Sequence, residues 1–167
     1  MHTTSALSPY IGPIAIAIVL AAAAIDLQHR RIPNWLTFGA WLLALPAQLV
    51  IHGLGSGLSG WALGWLTGLT VFLPLYALRG MAAGDVKLMA AVGAWLGPSM
   101  ALQIALMAFL LGGAWALAHV CWFRHGSQVV RNIAGIVRGK AHGPSVGSMP
   151  YGVAIAAGTL ALLFASA

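Results

Sequence analysis

Two carboxylates, Asp26 and Asp85, are the only acidic side chains in the sequence, and both are set in apolar surroundings. A carboxyl within hydrocarbon costs at least about 2.5–3.5 kcal/mol, so it must face protein or a water-filled cavity. Two carboxyls on one water pocket can share a proton, because like charges a few Å apart do not both ionise cheaply. The ionised member can draw a proton from water while the neutral member donates to a carbonyl oxygen. That is general acid–base hydrolysis of a peptide bond. Asp85 follows Gly84 at a predicted helix start, where the dipole favours negative charge, and Asp26 sits near a predicted helix C-terminus, where it does not. This points to Asp85 as base and Asp26 as acid, although Arg30 and Lys87 oppose the distinction and coupled pairs titrate jointly. Other readings stay open on the residues alone. Asp26 with Arg30 is an i,i+4 ion pair and Asp85 a helix cap. The same two acids also suit a proton relay in a small transporter or channel, and glycine-rich faces suit a non-catalytic scaffold.

The elements that must position these acids follow from composition. Charged residues make up 6% of the chain, against roughly 25% in a soluble domain. Hydrophobic residues reach 60% and mean hydropathy is +0.92. Long runs of Leu, Ala and Gly without period-2 alternation exclude a barrel and predict a helical membrane protein. The pI near 10.5 reflects eight Lys/Arg against two acids. It is not the dense basic patch of a nucleic-acid binder, so no nucleic-acid partner is expected. The single cysteine, Cys121, allows no internal disulfide and no Cys-based zinc site; it is expected to pack as a small apolar residue.

Six apolar stretches are predicted to span the membrane: Leu7–Ile25, Trp35–Ile51, Leu58–Leu78, Met81–Leu96, Ser99–Phe123 and Met149–Ala165. Each is near the roughly 17–25 residues that cross the hydrocarbon core. The first ends in Ala21–Ala24 but has its positive charge, Arg30 and Arg31, after it, unlike a secretory signal; it reads as an uncleaved span. Arg79 and Lys87 bracket the start of the fourth stretch, and Arg124, Arg131, Arg138 and Lys140 precede the sixth. Positive charge marks the cytoplasmic side. The expected architecture is therefore an all-α bundle of about six spans, N-out and C-out, forming a single domain over residues 1–167. Both acids then lie just inside the cytoplasmic leaflet. Asp26 falls about 6 Å inward of Arg30, and Asp85 about 9 Å inward of Arg79 if the helix is continuous there. Trp95 serves as an outer anchor in this reading.

Gly60, Gly64 and Gly68 form a small-xxx-small face expected to pack internally, and Gly93 and Gly97 are expected to do the same. Residues 124–143 interleave Val129, Val130, Ile133, Ile136 and Val137 with Arg131, Arg138 and Lys140. That is the pattern of a basic interfacial helix, weakened by Gly126, Gly135 and Gly139. The histidines, at 2, 29, 52, 119, 125 and 142, show no metal-ligand spacing, so no metal site is expected; His29 reads as a solvated loop residue. The tryptophans read as interfacial belts; Pro150, Tyr151 and Gly152 open the last span on the cytoplasmic side, where Tyr151 reads as an interfacial tyrosine, with a hydroxyl reaching the site as the alternative.

The segments around the acids resemble the type IV prepilin peptidases, membrane aspartic proteases of the GxGD class. Three stretches carry the resemblance: DLQHRRIPNWLT from Asp26 to Thr37, GMAAGDVKLMAAVGAWLG from Gly80 to Gly97, and MPYGVAIAAG from Met149 to Gly158. It implies Asp26 and Asp85 as the catalytic aspartates and Gly84 within the motif, with Lys87 and the run Ile32, Pro33 and Asn34 beside it. Ala82 stands where the motif has its first glycine, adding one methyl and removing no catalytic group. The resemblance implies a prepilin substrate, a basic leader followed by a hydrophobic helix, cut at the cytoplasmic face of the bacterial inner membrane. Membrane lipid is the other expected partner, and oligomeric state is open. Long members of the family carry paired CxxC motifs and also N-methylate the product. This chain enters the membrane almost at once and has one cysteine, so it resembles the short form serving tight-adherence (Flp/Tad-type) pili. Neither zinc nor S-adenosylmethionine, nor any other cofactor, is expected.

Overall fold

The computed structural model describes residues 10–78, 80–123 and 151–165, which are helical almost throughout and contain no strand. The helices are α1 (Ile11–His29), α2 (Asn34–Ala77), α3 (Ala83–Leu96), α4 (Pro98–Phe123) and α5 (Tyr151–Ala165). Helix is what an apolar, lipid-facing chain demands, because its hydrogen bonds close within the segment where no water can satisfy the backbone. Expectations that fall on residues 1–9, Arg79 and 124–150 lie outside the described residues, as do those on the side chains of 119–123, including Cys121.

α2 holds 44 residues but is not one rod. At Gly53 φ is 77° and ψ 174°, a conformation essentially reserved for glycine, and the chain turns back there. Trp61 Nε1–H donates to the Trp41 carbonyl at 3.0 Å, the two indole rings lie 5.0 Å apart, and the Gln48 carbonyl presses against Gly57. Pairing 41 with 61 and 48 with 57 is the pattern of an antiparallel hairpin. Its limbs, 34–52 and 54–77, are about 28 and 36 Å long at 1.5 Å per residue; they correspond to the second and third predicted stretches. By length and composition α1, α2 and the 98–118 part of α4 can cross a membrane. α3 and α5, with 14 and 15 residues, are shorter than a full crossing.

Among the described helices the shortest, α3, is the most enclosed. From Val86 to Leu96 only Lys87 is exposed. The second limb of α2 grips α3 backbone to backbone: Gly64 meets the Gly93 carbonyl and Gly68 the Met89 carbonyl. Gly64 and Gly68 thus serve internal packing, as their spacing predicts, whereas a Cβ on Gly60 would meet only Gln48 Oε1 at 3.9 Å. Gly97 packs closely on Gly64, where a Cβ would stand 3.0 Å from the Gly97 Cα, and it has a second duty. Its φ of 81° makes it the turn into Pro98, where proline suits a first helical position; its own Cβ would touch nothing. Trp95 is not the expected outer anchor. It is 3% exposed, and its Nε1–H donates to the Ala40 carbonyl at 2.8 Å. Gln48 Nε2 donates to the carbonyls of Ala94 and Trp95, satisfying groups that a helix end leaves open.

Two boundaries matter for the acids. α1 runs to His29, four residues past the predicted Ile25, so Asp26 lies within its last turns and His29 is an exposed helical residue rather than a loop one. α3 begins at Ala83, and residues 80–82 are non-helical. The depth of about 9 Å expected for Asp85 assumed helix from Arg79 onward; Asp85 is instead the third residue of α3.

Candidate active site

α1 is capped by Arg30, whose φ of 53° and ψ of 28° are left-handed and whose N–H donates to the Asp26 carbonyl at 2.8 Å. This cap turns the chain into a short link that reaches the first residue of α2 at Asn34. Ile32 of the link is buried. A Cβ on Gly84 would stand 3.2 Å from Ile32 Cβ; glycine there lets the link rest on the start of α3. Gly84 thereby draws the two Asp-bearing helices together. Ala82 is exposed and extended, with φ −82° and ψ 154°, so its methyl fits where the motif has glycine.

The Asp85 carboxylate accepts the Ala82 N–H at 3.2 Å. This is the acidic half of a capping box, and Ala82 has no side-chain oxygen to supply the other half. Asp85 therefore does cap its helix, and it also faces the cavity. Asp26 Oδ2 accepts the Gly152 N–H at 3.1 Å, from the first turn of α5. Asp26 thus does not face the C-terminus of its own helix alone: each carboxylate receives one backbone N–H from a helix start. The dipole contrast expected between them is lost, and with it the geometric reason for naming one the base.

Asp26 and Asp85 line one cavity of about 240 Å³, flanked by Arg30, Arg31, Ile32 and Gly84. Both are buried, at 6% and 5% exposure, and close enough for their charges to interact. The other sequence-derived residues divide. Ile32, Ala82 and Gly84 line this cavity; Pro33 and Asn34 line the adjoining one, with His29 and Arg31. Lys87 is exposed and outside it, donating from Nζ to Asn34 Oδ1 at 2.9 Å, which ties the first turn of α3 to that of α2. Among the described residues no three His, Cys, Asp or Glu come together as metal ligands.

One residue at the site was not singled out by sequence reasoning. Gly152 not only donates to Asp26; a Cβ on it would lie 3.0 Å from Asp26 Oδ2. The signal was present in MPYGVAIAAG, but nothing local ties that stretch to Asp26. Tyr151 is half-buried rather than interfacial alone. Its hydroxyl lies against Gly112 of α4, 3.0 Å from where a Cβ would stand, and within electrostatic range of Asp85.

Comparison with known proteins bears on this geometry. A family model described as the type IV leader peptidase family matches residues 14–117, a span that includes both acids and stops short of α5. The prepilin leader peptidase/N-methyltransferase of Xanthomonas campestris is 37% identical over 112 residues, covering 60% of this chain and 37% of that protein. The Klebsiella pneumoniae protein of the same description is 34% identical over 107 residues, 58% of this chain and 45% of its own length. A type 4 prepilin-like proteins leader peptide-processing enzyme of Escherichia coli is 33% identical over 117 residues, 62% and 41% respectively. The chain spans about two fifths of the length of these relatives. No solved structure matches it. With more than half of its residues matched by the family model, and both acids inside the match, the chain belongs to the type IV leader peptidase family.

Proposed function

We propose that this protein is a membrane-embedded aspartic endopeptidase that removes the leader peptide from prepilins, with Asp26 and Asp85 as its catalytic pair. The carrying observation is that the only two acids of the sequence, far apart in the chain, line one cavity. A water held between them loses a proton to the ionised carboxylate as its oxygen attacks the scissile carbonyl carbon. The protonated partner gives its proton to the carbonyl oxygen. The resulting diol returns a hydroxyl proton to the second carboxylate as it collapses, the C–N bond breaks, and the departing nitrogen takes a proton from the first carboxyl. One proton remains on the pair, and the products are a carboxylic acid and a free amine. Gly152 and Ala82 act through the carboxylates they hold, and Gly84 with Ile32 act by keeping the helices together. Lys87, Pro33 and Asn34 support the adjoining face.

The finer reading is that the substrates are Flp/Tad-type prepilins and that cleavage occurs at the cytoplasmic face of the bacterial inner membrane. It includes a bundle of about six spans, N-out and C-out. The resemblance of the motif stretches to the short-form peptidases supports the first part, and the distribution of Lys and Arg supports the second. The proton-relay reading of the same acids has no observation of its own in its favour.

Co-expression with a Flp-type prepilin and with a longer type IV prepilin, followed as a size shift on a gel, tests both levels. The expected result is processing of the Flp-type protein, lost in Asp26→Asn and in Asp85→Asn. Either amide still offers an oxygen to its backbone N–H, so both variants should insert and fold. Processing that survives either substitution rules out the paired-acid mechanism; processing of the longer prepilin alone rules out the Flp assignment.

A further inference from the structure

α1 and α2 are joined by a link of only a few residues, yet they hardly touch, because α1 packs chiefly on α5. Between α1 and the first limb of α2 a groove of about 810 Å³ opens to the side. Its α1 wall includes Ile14 and Ile18, and its α2 wall Trp35, Gly39, Leu43 and Val50. Along α2 it extends from Trp35 to Ile51, roughly 24 Å at 1.5 Å per residue, close to one membrane crossing.

We infer that this groove seats the hydrophobic helix of the substrate, with the chain leaving the helix near Trp35 and running over Ile32 to the two aspartates. Continuity between the groove and the acids is the first support. Trp35 lines both the groove and the cavity that holds His29 and Pro33, and that cavity shares Arg31 and Ile32 with the one that holds Asp26 and Asp85. An apolar channel of helix length therefore ends in a short polar passage to the acids, the two-part shape of a hydrophobic helix with a scissile junction at its polar end. The aromatic cleft around Phe38, Trp65 and Leu69 meets the same passage at Asn34, but it holds about 460 Å³ and extends along the first limb of α2 only from Asn34 to Trp41, roughly 10 Å and too short to seat a membrane-crossing helix.

Gly39 is the second support. A glycine inside a helix costs about 1 kcal/mol relative to alanine. Gly57, Gly64 and Gly68 of α2 each answer to a backbone pressed against them, but a Cβ on Gly39 would meet nothing within 4 Å. Packing among the described residues gives no reason for it. A flat place on a groove wall admits the close approach of another helix. Leu43 and Val50 beyond it are 64% and 85% exposed, a surface left for an occupant.

This inference rests on the peptidase reading, and the test separates the two. A photo-crosslinking phenylalanine analogue is placed at Leu43, Val50, Leu69 or Leu106, in full-length Asp85→Asn protein co-expressed with unprocessed prepilin in native membranes. Adducts with prepilin from 43 and 50, several-fold above those from 69 and 106, are expected. Adducts strongest at 69 or 106, or equal at all four, overturn the groove while leaving processing by the wild type untouched. Gly39→Leu in the otherwise wild-type enzyme should raise KM roughly tenfold with kcat little changed; unchanged KM also overturns it. If the wild type fails to process prepilin but 43 and 50 still give adducts, the peptidase reading falls and the docking surface stands.

Discussion

Asp26 takes its backbone hydrogen bond from Gly152, 126 residues away in sequence. The same glycine has no room for a side chain, since a methyl would stand 3.0 Å from the carboxylate oxygen it serves. Gly152→Ala must therefore move Asp26, and a displacement of about 1 Å at a reacting group can cost about 10²-fold in rate. We expect kcat for prepilin cleavage to fall by that order with KM nearly unchanged; wild-type kcat in this variant would remove Gly152 from the site. Asp85 has two tasks that can be separated. Asp85→Asn retains an acceptor for the Ala82 N–H, whereas Asp85→Ala does not. Both should be inactive, but only the alanine variant should also lose about 1 kcal/mol of stability, read from unfolding in detergent.

The contact that fixes α3 is made of backbone, not of large side chains. Gly64 and Gly93 meet so closely that neither admits a Cβ. Gly64→Val is expected to cost at least the 1–3 kcal/mol typical of overpacking and to reduce activity indirectly, by pushing α3 and its Asp85 away from α1. Gly60→Ala is the matched control, since its nearest non-local neighbour is 3.9 Å away. It should be neutral or stabilising by up to about 1 kcal/mol, because alanine is the better helix former. Denaturant titration of the two variants in one detergent checks the contrast. If Gly64→Val is as stable as Gly60→Ala, the backbone contact does not hold the pair. Gly60 shares the face but not the close approach: a Cβ there would make ordinary contact with Gln48 Oε1, whereas Gly57, Gly64 and Gly68 are pressed against backbone.

At the scale of the described residues together, a short, enclosed helix is surrounded by longer ones that present leucine outward, Leu42, Leu66 and Leu110 among them. The side on which the acids open follows from the proposed topology. In a Cys121→Ser background, a cysteine at position 55, at the bend between the α2 limbs, should react with a membrane-impermeant thiol reagent added to spheroplasts. One at position 28, near the Asp26 end of α1, should react only after lysis. The reverse pattern would put the acids on the outer face and exclude cleavage in the cytoplasm.

Much of this protein was legible from residues alone, for identifiable reasons. Lipid removes every option but internally bonded helix, so long apolar runs report helices directly, and boundaries moved by only a few residues. With only two acids in the sequence, both in apolar settings, the candidate pair stood out before any contact was known. What the sequence could not supply was anything depending on which faces meet. The bond from Gly152 to Asp26, the burial of Trp95, the different duties of Gly60 and Gly64, and the separation of Lys87 from the Asp cavity are set by the hairpin bend and by the register of neighbouring helices. Hydropathy records how well a residue tolerates lipid or core and carries no account of rotation about the helix axis. Only packing decides that rotation, and so only the tertiary structure reveals that both carboxylates are held by helix starts.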